Sequence, residues 1–233
     1  MQDRYAGDVG DFVKLGLLRA LSPDKRLGIA WYRFPDEAHN SDGRHIGYLN
    51  QRQDYEALDP ELFSHLKNVV SQERSIASLL PVLNAGASCN DSLDVASIPA
   101  SARRVWRRAW FSRMLDRLAG CDLVFADPDN GLIDDQDKRK GARTFGKQMP
   151  LEEVRSFAAG RCAVIYHHNT RRPGGHDAEV DFWLGEIGLP GFAVRAARYS
   201  PRTFFVLNPD DEIRKRAEDF CARWFSMRVW LHG

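Results

Sequence analysis

The sequence predicts an α/β domain: a mostly parallel sheet with helices on both faces and an antiparallel hairpin at one edge. Three observations carry this expectation. Short apolar runs at Leu27 to Tyr32, Leu123 to Ala126 and Arg161 to His167 end in turn residues and read as buried strands. Helical stretches alternate with them, as parallel strands require. Two further strand-like runs, Phe192 to Tyr199 and Thr203 to Leu207, are joined only by Ser200-Pro201-Arg202. That link is too short for a crossover and pairs them antiparallel.

Each element has a local reason. Val13, Leu17, Leu18 and Leu21 fall at helical spacing over Asp11 to Leu21, with Asp8 or Asp11 placed to cap the start and Ser22-Pro23 to stop it. Lys14 falls among these apolar positions, and its long stem lets the ammonium reach a cleft wall. After the strand at Leu27 to Tyr32 comes a polar loop with His39, Asn40, Asp42, Arg44 and His45. Loops at that edge of a sheet are either solvated turns or sites. Leu58 to Val70 reads as a helix opened by Asp59-Pro60-Glu61. Ser75 to Leu83 is ambiguous, and a weak strand passes near Ala87 to Cys89. Ser101 to Ala119 is the clearest helix, with Val105, Trp106, Ala109, Trp110, Met114, Leu115 and Leu118 as its apolar stripe. Ile133 to Gln148 reads as a charged loop. Helices follow at Pro150 to Ala158, Asp177 to Glu186 and Asp210 to Phe225, with a final strand at Met227 to Leu231.

The 233 residues suffice for one α/β domain over 1–233, with room for a helical insertion around 51–119. A net charge of +1 creates no global field toward nucleic acid, so local patches decide. No signal sequence and no membrane-spanning run is visible, which predicts a soluble, cytoplasmic protein. Cys89, Cys121, Cys162 and Cys221 stand singly, against a disulfide framework or a zinc ribbon, and are expected as reduced thiols, mostly buried.

Gly141 to Lys147 matches the glycine and lysine spacing of a phosphate-binding loop, but Gln148 stands where a magnesium-binding hydroxyl belongs and no strand precedes it. The stretch Asp122 to Leu132, DLVFADPDNGL, carries more. A buried strand ends in Asp127-Pro128-Asp129-Asn130, at the edge where open α/β sheets bind ligands. A carboxylate beside an amide can accept both hydrogens of a base's exocyclic amine and orient its lone pair. The same carboxylates suit a divalent metal, and the motif is also good turn chemistry. His167, His168 and His176 form a second cluster. The first two point to opposite faces of an extended chain, so at most one of them faces the cleft. Arg171 and Arg172, beside Gly174-Gly175, suit a phosphate. Arg103, Arg104, Arg107, Arg108, Arg113 and Arg117 form either a solvated face or a surface that tracks a nucleic-acid backbone.

The order of these motifs resembles the class I S-adenosylmethionine-dependent methyltransferases, and more narrowly the bacterial 23S rRNA adenine-N6 methyltransferases. That family opens with Ala-Gly-Asn-x-x-Asp-x-x-Lys, where this chain has Ala6-Gly7-Asp8-Val9-Gly10-Asp11-Phe12-Val13-Lys14. Its catalytic strand ends in Asp-Pro-Pro-Tyr, where this chain has Asp127-Pro128-Asp129-Asn130, and its late Asn-Pro strand end corresponds to Phe204 to Pro209. The resemblance implies a Rossmann-like methyltransferase fold, S-adenosylmethionine as donor and a nucleic-acid base amine as acceptor. It implies that Asp127 accepts from the target amine, with Asp129, Asn130 and His168 completing the reacting set. Tyr5, Gly7, Asp8, Asp11 and Lys14, with Asp36, His39 and Asp42 after the first strand, would line the cofactor side. Two alternatives stay open. One is a metal-dependent nuclease or phosphodiesterase in which Asp127, Asp129 and a histidine activate water on a divalent metal. The other is an inactive module that holds nucleic acid by the arginine helix.

Overall fold

The first helix begins earlier than the apolar spacing indicates, because Asp8 is its cap. The Asp8 side chain accepts from the N–H groups of Gly10 and Asp11, and the helix, α1, runs Val9–Leu21. The computed structural model describes residues 1–36 and 43–233. Among these, α1 is followed by β1 (Leu27–Ala30), α2 (Arg52–Tyr55), α3 (Pro60–Ser71), β2 (Ala87–Cys89), α4 (Arg103–Arg117), β3 (Leu123–Ala126), β4 (Gly131–Ile133), β5 (Gln148–Pro150) and α5 (Leu151–Phe157). Then come β6 (Cys162–His168), α6 (Gly175–Ile187), β7 (Gly191–Ala196), β8 (Arg202–Leu207), α7 (Asp211–Arg223) and β9 (Val229–His232).

The main sheet has the order β2-β1-β3-β6-β8-β7-β9. Its first four strands are parallel, and β8, β7 and β9 join by antiparallel pairing. This is a mixed, mostly parallel Rossmann-like sheet with helices on both faces. On one face Phe12 and Leu17 of α1, Leu66 of α3 and Phe220 of α7 pack on Ile29, Phe125 and Val206. On the other, Trp110 and Met114 of α4, Val154 and Phe157 of α5, and Val180 of α6 pack on Val124, Ile165 and Phe205. Cys89, Cys121 and Cys221 are buried, Cys162 is half-buried, and all four are free thiols. Among the described residues no helix is long and apolar enough to cross a membrane.

Several expectations change. The hairpin is not the sheet's edge: β8 is buried at all six positions and lies between β6 and β7, while β9 covers the outer side of β7. The weak strand expected near Ala87 to Cys89 does form: it is β2, and it joins the main sheet by pairing with β1. The charged stretch Ile133 to Gln148 is a connection as expected, but it joins two strands that the sequence did not show, β4 and β5, which pair as a separate two-stranded sheet.

The apolar stripe expected on α4 holds at Trp106, Trp110, Met114, Leu115 and Leu118, and fails at two positions. Val105 is 66% exposed, and Ala109 is exposed as well, whereas Arg107, Trp110 and Met114 are buried at i, i+3 and i+7. Arg107 is drawn inward by a two-pronged ion pair. Its Nε and Nη2 donate to Glu153 Oε1 and Oε2 at 2.8 and 2.9 Å, and Tyr32 Oη donates to the same carboxylate at 3.1 Å. Its guanidinium carbon lies 5.1 Å from both the Tyr32 and Trp110 ring centres.

Two connections leave adjacent strands in opposite directions: β1 leads to β2 on one side, and β3 leads to β6 on the other. The crevice beyond Ala30 and Ala126 is therefore the switch point at which open α/β sheets bind ligands.

Candidate active site at the end of the third strand

Asp127 follows β3 directly, and its N–H donates to Ala30 O at 3.0 Å, so the strand pairing itself fixes the residue. It is 2% exposed. Lys14 Nζ, one turn into α1, donates to Asp127 Oδ2 at 2.7 Å and to Asp11 Oδ1 at 2.9 Å. Asp11 Oδ2 in turn accepts from Gly7 N at 2.9 Å. Lys14 thus fastens the amino end of α1 to the end of β3. Among the described residues nothing is hydrogen-bonded to Asp127 Oδ1, and Asp127 lines a cavity of about 410 Å³, a size usual for small-molecule sites.

The charges are coupled. Burial raises the Asp127 and Asp11 carboxyls above the ordinary carboxylate range, against the pull of the shared Lys14 ammonium. Burial also works against the Lys14 charge, but Asp11 and Asp127 outweigh it and hold the ammonium protonated. One cation between two buried carboxylates leaves a negative excess, and the Met1 ammonium moderates it. It donates to Tyr32 O at 2.8 Å and to Asp127 O at 3.2 Å, and it forms an ion pair with Asp129. Gln2 Nε2 donates to the other Asp129 oxygen at 2.9 Å.

The cavity brings together Tyr5, Asp8, Asp11, Lys14, Asp127, Asp129, Asn130 and His168 from the sequence-predicted set. Asn130 is exposed and held by its N–H to Lys147 O at 2.8 Å. His168 is exposed, with Nδ1 3.2 Å from Tyr166 Oη. Gly7 stands outside the lining: its carbonyl accepts from Tyr48 Oη at 3.1 Å and its N–H serves Asp11. Asp36 is exposed and does not line the cavity. His39 and Asp42 lie outside the described residues.

Of the arginines, Arg107 is withdrawn from the surface by Glu153, so it belongs to the core and not to a nucleic-acid face. Arg103 is turned onto Ile98 O and Gly141 O, and Arg104 donates to Asp137 O. Arg108 and Arg171 are exposed, while Arg172 lies over the Phe182 ring at 3.5 Å. Sequence reasoning missed Tyr166, Ser200 and Arg202, which also line the cavity. The signal was available in the chain. A strand returning antiparallel to β6 starts at the edge where β6 ends, which places Ser200 and Arg202 beside His168.

His167 serves the scaffold. It is 1% exposed, its Nδ1 accepts from Leu132 N at 3.0 Å, and Nε2 lies 3.1 Å from Glu179 Oε1. The proton is therefore on Nε2 and the ring is neutral. Gly131 allows this approach. It has φ +80°, and a Cβ there would lie 2.3 Å from His167 Nδ1 and 2.6 Å from its backbone Cα. Gly131→Ala is expected to cost about 2 to 4 kcal/mol, read as a drop in the denaturant midpoint, because both the backbone conformation and the contact oppose it.

Glu179 also accepts from Thr170 N at 2.9 Å and from Asn169 Nδ2 at 3.2 Å. Burial would raise its carboxyl, but the hydrogen bonds from His167, Thr170 and Asn169 outweigh it and hold it down at about 2, against the ordinary 4.5. A depressed folded-state value adds stability that is present above 4.5 and lost as pH falls toward 2. In Tm measured against pH, Glu179→Gln should show a shallower acid limb than the parent protein. Equal slopes would remove this role.

A metal-centred site does not fit the donor set. Among the described residues no group of three or more His, Cys, Asp or Glu side chains is placed to hold an ion. Asp127 is held by Lys14, Asp129 by the Met1 ammonium and Gln2, and His167 faces Glu179. Two larger clefts, of about 770 and 900 Å³, lie at the opposite edge, against the end of α1 and the starts of β3 and β6. No protein-family model and no curated protein matches the chain.

Proposed function

We propose that the protein is a methyltransferase-like enzyme that uses S-adenosylmethionine to methylate an amine of a nucleic-acid base. One observation carries this reading. Asp127 stands at the switch point with one oxygen fixed by Lys14 and the other hydrogen-bonded to no described group, in a cavity of ligand size. The mostly parallel sheet with its antiparallel β7–β8 hairpin is the arrangement expected of a methyltransferase-type fold and supports the same reading.

The donor set suits S-adenosylmethionine, a zwitterion that also carries a sulfonium. Met1, Lys14, Lys147 and Arg202 bring cations to the cavity, and Asp8, Asp11, Asp127 and Asp129 bring anions, so neither sign dominates. Asp8, Asp11, Lys14 and Arg202, which line the cavity, would hold it. When bound, it would supply an electrophilic methyl group. Asp127 Oδ1 would accept a hydrogen of the target amine and turn the nitrogen lone pair toward that methyl group, while Lys14 keeps the carboxylate from rotating. The Tyr166 ring, 5.5 Å from Lys14 Nζ, closes one side of the space.

Incubation of the protein with methyl-labelled S-adenosylmethionine and total RNA or DNA tests the reading. Label recovered on an exocyclic base amine is expected. A folded protein that transfers none to RNA, DNA or free nucleosides would overturn it.

For the nucleic-acid partner, α4 offers Arg104 and Arg108, one turn apart and both exposed. Reversing both charges should weaken RNA or DNA binding and reduce the slope of log affinity against log salt by about two. An unchanged slope would make this a solvated face only.

A further inference from the structure

Arg202 opens β8 and is only 7% exposed, and its guanidinium lies beside the Tyr166 hydroxyl, yet among the described residues its Nη1 has no hydrogen-bond partner. Nη2 donates to Ser200 Oγ at 3.2 Å. A buried guanidinium with an unused donor is costly unless something accepts from it. Arg202 lines the same cavity as Asp127, and it comes up against the amino end of α1. Its guanidinium carbon and Nη2 both lie 3.1 Å from the point where Gly10 lacks a Cβ. Any larger residue at Gly10 would push the guanidinium aside, so the glycine keeps the planar group against the first turn of a 13-residue helix. The partial positive charge of that helix end adds to the attraction for an anion at this point.

We propose that Arg202, seated on Gly10 at the start of α1, is the centre of an oxyanion subsite in this cavity. It takes one carboxylate or phosphate-ester group of the bound ligand. Asp8 limits what the subsite accepts. Its Oδ1 lies 2.9 Å from the same Gly10 point and already accepts from Gly10 N and Asp11 N. The local field is therefore nearly balanced, and the oxyanion is held by directed hydrogen bonds from the guanidinium rather than by excess charge. The subsite stands on Arg202 and Gly10 and does not require the methyl donor proposed above.

Titration calorimetry on the full chain with two ligand pairs tests it. S-adenosylhomocysteine against 5′-methylthioadenosine reports a carboxylate, and adenosine monophosphate against adenosine reports a phosphate. In at least one pair the charged member should bind about tenfold tighter or more, and Arg202→Gln should abolish the difference. No difference in either pair, or one that survives in Arg202→Gln, overturns the subsite. If Arg202→Gln does not fold, Arg202→Lys replaces the fork with a point charge: a reduced preference supports the subsite and an unchanged one overturns it. The two readings fail separately. Preference for adenosine monophosphate without any binding of S-adenosylhomocysteine removes the donor and keeps the subsite. Equal binding of S-adenosylhomocysteine and 5′-methylthioadenosine, with no phosphate preference, removes the subsite alone.

Discussion

Asp127→Asn is expected to lower methyl transfer by about 10²- to 10⁴-fold while changing S-adenosylmethionine affinity by no more than a few-fold. The amide has the same shape, and its oxygen can still accept from Lys14 Nζ, which sits 2.7 Å from Asp127 Oδ2 in the parent protein. The variant also leaves no buried charge unpaired, because Lys14 keeps Asp11. What is lost is an anionic acceptor at Oδ1, the atom that faces the proposed amine. The pH profile adds a second readout. Burial raises the Asp127 carboxyl, and only the carboxylate accepts, so the rate should climb with pH along an acid limb set above the usual carboxylate range. Asp127→Asn should lack that limb. A control at Asp129 should behave differently, since its oxygens are taken by the Met1 ammonium and Gln2. Asp129→Asn is expected to change stability more than turnover. Equal losses in both variants would mean that the two acids act only on the fold.

Glu153→Ala carries the largest expected effect on stability, a loss of about 3 to 5 kcal/mol. Arg107 and Glu153 are 5% and 6% exposed, and their paired contacts of 2.8 and 2.9 Å are the main compensation for burying two charges. Removing the carboxylate leaves the guanidinium among Tyr32, Trp110 and Phe145, whose rings lie 5.1 to 5.3 Å from its carbon. Those π faces offset only part of the lost ion pair. The double change Arg107→Met with Glu153→Leu should recover most of the loss, because apolar groups of similar volume carry no desolvation penalty. Chemical denaturation of the parent and the two variants separates the outcomes. A single variant within 1 kcal/mol of the parent would show that the pair is not stabilising α4 against α5.

This pair also shows where the sequence was legible and where it was not. The strands that are apolar throughout, LGIA and LVFA, declare themselves because every position is buried, and both form the parallel pair expected of them. Helix α4 was placed along the chain with most of its stripe inward, but Val105 and Ala109 face solvent and Arg107 is buried instead. Apolar spacing cannot reveal that an arginine is carried inward by a glutamate 46 residues away. Asp127 was legible because a buried strand ending in an acid has few places to go. Its coupling to Lys14, 113 residues earlier, was visible only as a lysine out of place among apolar neighbours. His167 and His168 illustrate the limit of alternation: it separates the two faces and does not say which one faces the cavity. The answer depends on Gly131 and Glu179, which bring Leu132 N and a carboxylate to the His167 ring. Arg202 was read only as part of a link, because its role needs the knowledge that β8 inserts beside β6. The chain has no glycine between Tyr32 and Gly43, while Gly10 and Gly43 both line the cavity.

The central claim is that the crevice beside Asp127 holds S-adenosylmethionine, and a calorimetric titration of the full chain with that compound tests it most directly. One saturable site per chain is expected, little changed in Asp127→Asn. Absence of heat and of any rise in Tm at millimolar ligand would contradict it.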